Sequence, residues 1–241
     1  MVPLTFAIAL ASDLPEDDEW LSPLERSLLA RLTIPKRRGD YRLGRWAARE
    51  AVRSIHPIDR PAIVVRAAAD GAPELELPAG FDLLTVSIAH SNGASLAVVG
   101  PANAVFGADL ELVEHRSEEM LQDFYTREER ALITGASADD RDLLATVVWC
   151  GKEAALKALR VGLRWDTRDV EVMPSSETAL AASAWHTLSA RTFDGARTEL
   201  RGCWVVFSFD AKRWVSSVLG VGLEPKHPPP ATARARAALG G

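Results

Sequence analysis

The 241-residue chain is short of cysteine: it has two, Cys150 and Cys203, and neither belongs to a Cys-x-x-Cys pair. That argues against a zinc motif or a disulfide framework and predicts reduced thiols in a cytoplasm. No apolar run approaches the roughly 18 residues of a membrane span. The apolar start, Leu4–Leu10, has no Lys or Arg before it. It therefore lacks the charged leader of a signal peptide and is expected to be a first strand. There is no Gly-x4-Gly-Lys-Ser/Thr loop, which argues against a P-loop nucleotide enzyme. Positive charge is not in excess either. The net charge is −5, so the molecule is not built to coat nucleic acid or an anionic membrane, and any basic site must be local.

What is present is ample core material: 47% hydrophobic and 25% charged residues, the composition of a soluble globular protein. Ser22-Pro23-Leu24-Glu25 spells a capping box with proline at the first helical position. A second helix is expected from Tyr41 to Ile55, after Gly39-Asp40. Strands are expected near 62–67, 74–77 and 83–88, with Ser91-Asn92-Gly93 turning into a partner strand over 94–99. The chain breaks at Gly100–Asn103. A strand over 105–114 follows, then helices near 117–124 and 127–133. A long helix is expected from Asp140 to Val161, with Gly162 as its stop. Late strands fit 169–173, 200–209 and 215–221. The Pro-, Ala- and Arg-rich segment 225–241 reads as a disordered tail. The order predicts an α/β (α+β) fold: two similar halves meeting near residue 102, each a small, mostly antiparallel sheet packed on helices.

Three local constellations carry chemistry. In VFGADLELVE, residues 105–114, strand alternation puts Phe106, Ala108, Leu110 and Leu112 on one face. Asp109 and Glu111 share the other, about 7 Å apart. A divalent cation would relieve their repulsion, and hard oxygen ligands suit Mg²⁺. Alone, the pair also fits a solvated strand edge. In WCGKEAALKAL, residues 149–159, Trp149, Glu153 and Lys157 lie four apart on one helix face, with Lys152 beside Glu153. A surface Glu–Lys pair of this spacing contributes only about 0.2–0.5 kcal/mol, and a tryptophan on a merely solvated stripe is unusual. In residues 34–53, Arg42, Arg45, Arg49 and Arg53 recur at helical spacing, while Leu43, Trp46, Ala47 and Ala51 can cover the core. The guanidinium fork matches phosphate oxygens, though a solvated helix face has the same pattern. His90, at a strand end beside a turn, can donate to a phosphate. Together these supply cations for phosphate, oxygens for a metal, and a base, which is what phosphoryl-type chemistry needs.

Four ordered motifs give the chain a family resemblance: Lys36-Arg37 with Gly44-Arg45, Ile88–Ser91 (IAHS), Phe106–Glu111 (FGADLE) and Trp149–Lys157 (WCGKEAALK). With them the sequence resembles a 4′-phosphopantetheinyl transferase of the surfactin-synthetase-activating type, the broad-specificity monomeric class. Tyr125–Glu129 resembles a weaker element of that family. The resemblance implies a pseudo-twofold monomer with its active site between the halves. Residues 1–102 would hold the coenzyme A phosphates and 103–224 the metal and catalytic residues. Coenzyme A would be the donor and a serine of an acyl or peptidyl carrier protein the acceptor. By position, Asp109, Glu111 and Glu153 would hold Mg²⁺, or Mn²⁺. Glu153 would also be the base and Lys157 would serve the leaving phosphate. Arg37, Arg45 and His90 would grip the phosphate on the ribose, and Lys152 the pyrophosphate. Two positions depart from the family pattern. Ala89-His90-Ser91 stands for Ser-His-Ser, and Asp70-Gly71-Ala72-Pro73 lacks the lysine of a Gly-Lys-Pro element. Carriers of secondary metabolism are the expected substrates.

Two other classes compete. A non-catalytic coenzyme A or carrier-protein binding module would have no need of a base beside a metal, which Asp109, Glu111, Glu153 and Lys157 supply. A nucleic-acid binder using the arginine stripe is weakened by the acidic net charge and by few interleaved aromatics.

Overall fold

Ser22 starts the first helix of the protein as its sequence predicts. Its hydroxyl accepts from Glu25 N, and the Glu25 carboxylate accepts from Ser22 N at 3.1 Å. In the computed structural model, which describes residues 4–175, 185–209 and 211–223, this helix is α1 (Pro23–Ala30) and follows β1 (Thr5–Leu10). Then come α2 (Pro35–Arg53), β2 (Val64–Ala67), β3 (Pro73–Glu76), β4 (Leu84–Ser91) and β5 (Ala94–Pro101). The second half repeats the plan: β6 (Phe106–Leu112), α3 (Glu118–Phe124), α4 (Arg127–Gly135), α5 (Ala138–Ala158), β7 (Val170–Pro174), β8 (Trp185–Thr192), β9 (Glu199–Phe209) and β10 (Lys212–Gly220). The chain divides into two compact units between Ala104 and Val105.

Each unit is a five-stranded antiparallel sheet with one long helix on it, and the strand orders correspond: β1-β5-β4-β3-β2 and β6-β10-β9-β8-β7. In the first unit α2 lays Leu43, Ala47, Ala48, Ala51 and Val52 on β1 and β5. In the second, α5 buries Val147, Val148, Ala154, Ala155 and Ala158 among Val170, Val172, Leu188 and Val215. The Asn92-Gly93 turn has positive φ at both residues, the requirement of the tight hairpin joining β4 to β5. The α/β class with two similar halves is therefore the fold.

Several boundaries differ from expectation. Helix α2 begins at Pro35, not Tyr41, and runs through Gly39-Asp40. Proline is suited to the first helical turn, and one glycine there is a small cost. Helix α5 ends at Ala158, not Val161, because Arg160 already takes a left-handed φ of 54°. Strand β8 was not expected. Only Leu188, Ala190 and Thr192 of WHTLSART turn inward, too weak an alternation to read as a strand. The expected tail at 225–241 lies outside the described residues.

The correspondence extends to buried charge. Glu25, third residue of α1, and Glu129, third residue of α4, are both fully buried in capping boxes. Glu25 is paired with Arg49 of α2, and Glu129 with Lys152 of α5 at 2.8 Å. Glu25 also accepts from Val65 N and Glu129 from Val172 N, at matching places on β2 and β7. Arg49 donates to the carbonyls of Arg60 and Ile63, and Lys152 to those of Thr167 and Val170. Each unit thus ties its helix pair to its outer strand through one internal ion pair. The ties align Arg49 with Lys152, and so the two helices residue by residue.

Candidate active site

On β6 the face carrying Gly107, Asp109 and Glu111 is the face against α5. A Cβ on Gly107 would stand 2.1 Å from the Ala154 carbonyl oxygen and 2.8 Å from the Lys157 Cβ. Only glycine allows strand and helix to come this close, which brings Asp109 to Lys157. Asp109 Oδ1 accepts from Lys157 Nζ at 2.6 Å, and the lysine also reaches Ala108 O at 3.3 Å. The side chains are 6% and 29% exposed, so the pair is internal on the acid side and open on the ammonium side.

Burial raises the Asp109 carboxyl above its ordinary value, with Lys157 opposing. Glu111 is pushed up to about 7 by burial and then by repulsion from Asp109, against the guanidinium of Arg116 and the indole N–H of Trp149. Glu153 is also raised, by burial and then by Asp109. Burial lowers Lys157, but the Asp109 carboxylate outweighs it and holds the ammonium above its usual range. The three acids and Lys157 therefore form one electrostatic cluster centred on Asp109. Phe124 packs edge-on against the Trp149 ring at 5.8 Å, fixing the indole that serves Glu111.

The cluster fits a divalent cation in its donor chemistry. Asp109 Oδ2 is buried without a hydrogen-bond partner, as is the hydroxyl of Ser217, its cross-strand neighbour on β10. Hard oxygens that repel one another and leave one atom unsatisfied are what such an ion would relieve. Among the described residues, no three acidic, histidine or cysteine side chains already stand in ligating geometry.

In the first unit, Arg45 lies on α2 with its guanidinium 3.7 Å over the Tyr41 ring. Its Nε is buried and has no hydrogen-bond partner. His90, exposed at the end of β4, lies against α2 at Gly44. Arg37 is exposed in the first turn of the same helix.

Two expectations need correcting. Lys152 does not extend into solvent as a phosphate ligand on an open face would: its side chain is 0% exposed and its ammonium is held by Glu129 and two carbonyls. Adjacent helical residues point about 100° apart, so its place beside Glu153 in sequence does not put it in the same cluster. The arginine stripe is likewise not a free basic face. Arg49 is internal, Arg42 binds Asp18 at 2.7 Å, and Arg53 donates to Ile58 O. The acidic face of β6 is covered by helix, where a solvated edge was the alternative reading. Arg116, which binds Glu111 at 3.3 Å, escaped the sequence reading because it lies past the end of β6 in no periodic pattern. A cavity of about 700 Å³ along β7–β9 contains none of the expected site residues. Chemistry locates the site, and cavity size does not.

An internal acid cluster with a lysine, and an arginine with an unsatisfied donor, are the equipment of an enzyme that handles phosphate. Two family models match successive parts of the chain and together cover more than half of it. The 4′-phosphopantetheinyl transferase N-terminal domain matches residues 24–100, and the 4′-phosphopantetheinyl transferase superfamily matches residues 105–204. The chain belongs to the 4′-phosphopantetheinyl transferase superfamily and is a transferase that moves phosphopantetheine from coenzyme A to a carrier protein. No curated protein matches it. Among solved structures it is similar to holo-[acyl-carrier-protein] synthase (AcpS) of Thermotoga maritima, at 20% identity over 52% of this chain and 76% of that one, with a TM-score of 0.36. It is also similar to the apo-ACPS structure of Chronobacterium ammoiniagenes, at 21% identity over 41% of this chain and 96% of that one, with a TM-score of 0.32. The family assignment rests on the two sequence models alone.

Among the described residues no helix is long and apolar enough to cross a membrane. Both cysteines are free and buried.

Proposed function

We propose that the chain is a broad-specificity, cytoplasmic, monomeric transferase of the surfactin-synthetase-activating type, acting on acyl or peptidyl carriers of secondary metabolism with Mg²⁺. The observation that carries the site assignment is Asp109: buried among Glu111, Glu153 and Lys157, with one carboxylate oxygen unsatisfied. Asp109, Glu111 and Glu153 would hold the cation, which when bound would neutralise phosphate charge. Arg45 and His90, with Arg37, would bind the phosphate on the ribose of coenzyme A. Lys152, being internal, has no part in this reading.

In the reaction, the carrier serine oxygen forms a bond to the phosphorus nearest pantetheine. The bond from that phosphorus to the bridging oxygen breaks, and adenosine bisphosphate leaves. Glu153 accepts the serine proton, directly or through water. Burial and the neighbouring Asp109 raise its affinity for a proton, the direction that favours a base. Lys157 stays cationic beside Asp109 and offers its charge to the departing phosphate.

The test is intact-protein mass spectrometry of several apo carriers with coenzyme A and Mg²⁺. The expected result is the gain of one phosphopantetheine mass on carriers of more than one pathway, lost with Glu153→Gln. Gain on a single fatty-acid carrier alone would remove the broad-specificity reading. Coenzyme A binding without product on any carrier would favour a binding module.

A further inference from the structure

Gly44 stands in the middle of α2, where glycine costs about 1 kcal/mol relative to alanine. The architecture does not demand it. Counting from the aligned ion pairs, the same place on α5 is Val147, which is fully buried against its own sheet. What differs is the strand beneath. A Cβ on Gly44 would stand 2.4 Å from His90 Nε2 and 3.0 Å from its Cε1, and 3.0 Å from Ile88 Cγ2. Counting from the hairpin turns, the position of His90 is taken in the second sheet by Ser208. The imidazole therefore lies on the α2 backbone, in the notch left by the missing side chain.

We propose that Gly44 is a positioning residue: its notch seats the His90 ring against α2, one residue from Arg45, and so sets recognition of the phosphomonoester on the ribose of coenzyme A. Arg45 is itself fixed, stacked on Tyr41 with a donor unsatisfied. A ring seated on the helix and a guanidinium stacked on Tyr41 need little ordering when the phosphate arrives, and preorganisation of this kind raises affinity. The proposal rests on the reading of Arg45 and His90 as phosphate ligands. It extends that reading to a residue with no side chain of its own.

Gly44→Ala is expected to fold. The new methyl meets the far end of an exposed side chain, which can swing away, and alanine improves the helix. The test is titration of coenzyme A and of 3′-dephospho-coenzyme A into the full chain and three variants: Gly44→Ala, His90→Ala and the double variant. The wild type should prefer coenzyme A by roughly tenfold or more, as for a charged hydrogen bond. Gly44→Ala should lose most of that preference without a lower melting temperature. The double variant should be no worse than His90→Ala, because the two changes remove one thing. Equal weakening of both ligands by Gly44→Ala, additive losses in the double variant, or retained preference in Gly44→Ala with loss in His90→Ala would each overturn the notch. A wild type with no preference, or His90→Ala without effect, would instead overturn the underlying phosphate reading.

Discussion

The two units of this chain share a buried ion pair and two of the carbonyls it touches, and they part company on the first strand of each sheet. Register places Thr5 of β1 where β6 has Asp109, and Ala7 where β6 has Glu111. Glu50 and Glu153 occupy the same helical place with different neighbours. Glu50 binds Arg60 at the surface, and Glu153 feels Asp109 and Lys157. A charged residue with a counterpart in the same bonds is scaffold, and one without a counterpart, or with changed neighbours, is a candidate for chemistry. By this rule Lys152 falls with the scaffold, while Asp109, Glu111, Glu153 and Lys157 remain candidates for chemistry.

The largest effect should come from the pair of glutamates that differ only in surroundings. Glu153→Gln is expected to slow carrier modification about 10²–10⁴-fold, the range for a lost general base. Glu50→Gln should change the rate by no more than about twofold, as surface changes do. Initial rates by mass spectrometry decide it, and comparable losses would erase the distinction between the two positions.

Next come the ion pairs. Lys152→Met leaves the Glu129 carboxylate buried and unpaired, which costs about 3–5 kcal/mol. Arg49→Met should cost about as much in the first unit. Lys152→Arg borrows the cation of the other unit and should be mild. Urea midpoints measure all three. If Lys152→Met raised the KM for coenzyme A with an unchanged midpoint, the ammonium would reach the ligand after all.

Much of this was legible in the sequence, for physical reasons. The capping box at Ser22, the hairpin at Asn92-Gly93 and the alternation of β6 are local signals, and each element formed where it was expected. The motif residues Asp109, Glu111, Glu153 and Lys157 fall into one cluster because strand and helix periodicities carry through to three dimensions. The fate of Lys152 and Arg49 was not legible. Whether a basic side chain meets solvent or an internal carboxylate depends on Glu129 and Glu25, more than twenty residues upstream, and no local pattern carries that. The same holds for the cover on the acidic face of β6, which depends on Gly107 admitting α5.

A smaller effect follows from Glu111, which has no acidic counterpart in the first unit. Its carboxyl sits near 7, above the ordinary 4.5. The folded chain therefore keeps a proton that the unfolded chain releases between those values. Without a divalent cation, stability should fall as the pH rises through that window, by about 1–3 kcal/mol, and level off above it. A bound cation favours the ionised form, so the stabilisation produced by Mg²⁺ should grow with pH over the same range. Melting curves from pH 4.5 to 8 with chelator and with Mg²⁺ test both slopes. Glu111→Gln should flatten the first. A Mg²⁺ effect independent of pH would remove Glu111 from the ligands.

The last comparison lies in the caps that hold the two buried glutamates. Ser22 and Thr126 each accept from the third residue of their helix at 3.3 Å, and losing either costs about 1 kcal/mol as a cap. Their hydroxyl protons go to different places. Ser22 Oγ donates to the Glu25 carboxylate itself at 2.6 Å, whereas Thr126 Oγ1 donates to Glu171 at 3.3 Å. Ser22→Ala thus also takes a short charged hydrogen bond from a fully buried acid, and bonds of that kind contribute about 1.5–3 kcal/mol. The urea midpoint should fall further for Ser22→Ala than for Thr126→Ala. Equal shifts would mean that the two ties are held alike despite their different donors, and the hydroxyl bond to Glu25 would add nothing to the first.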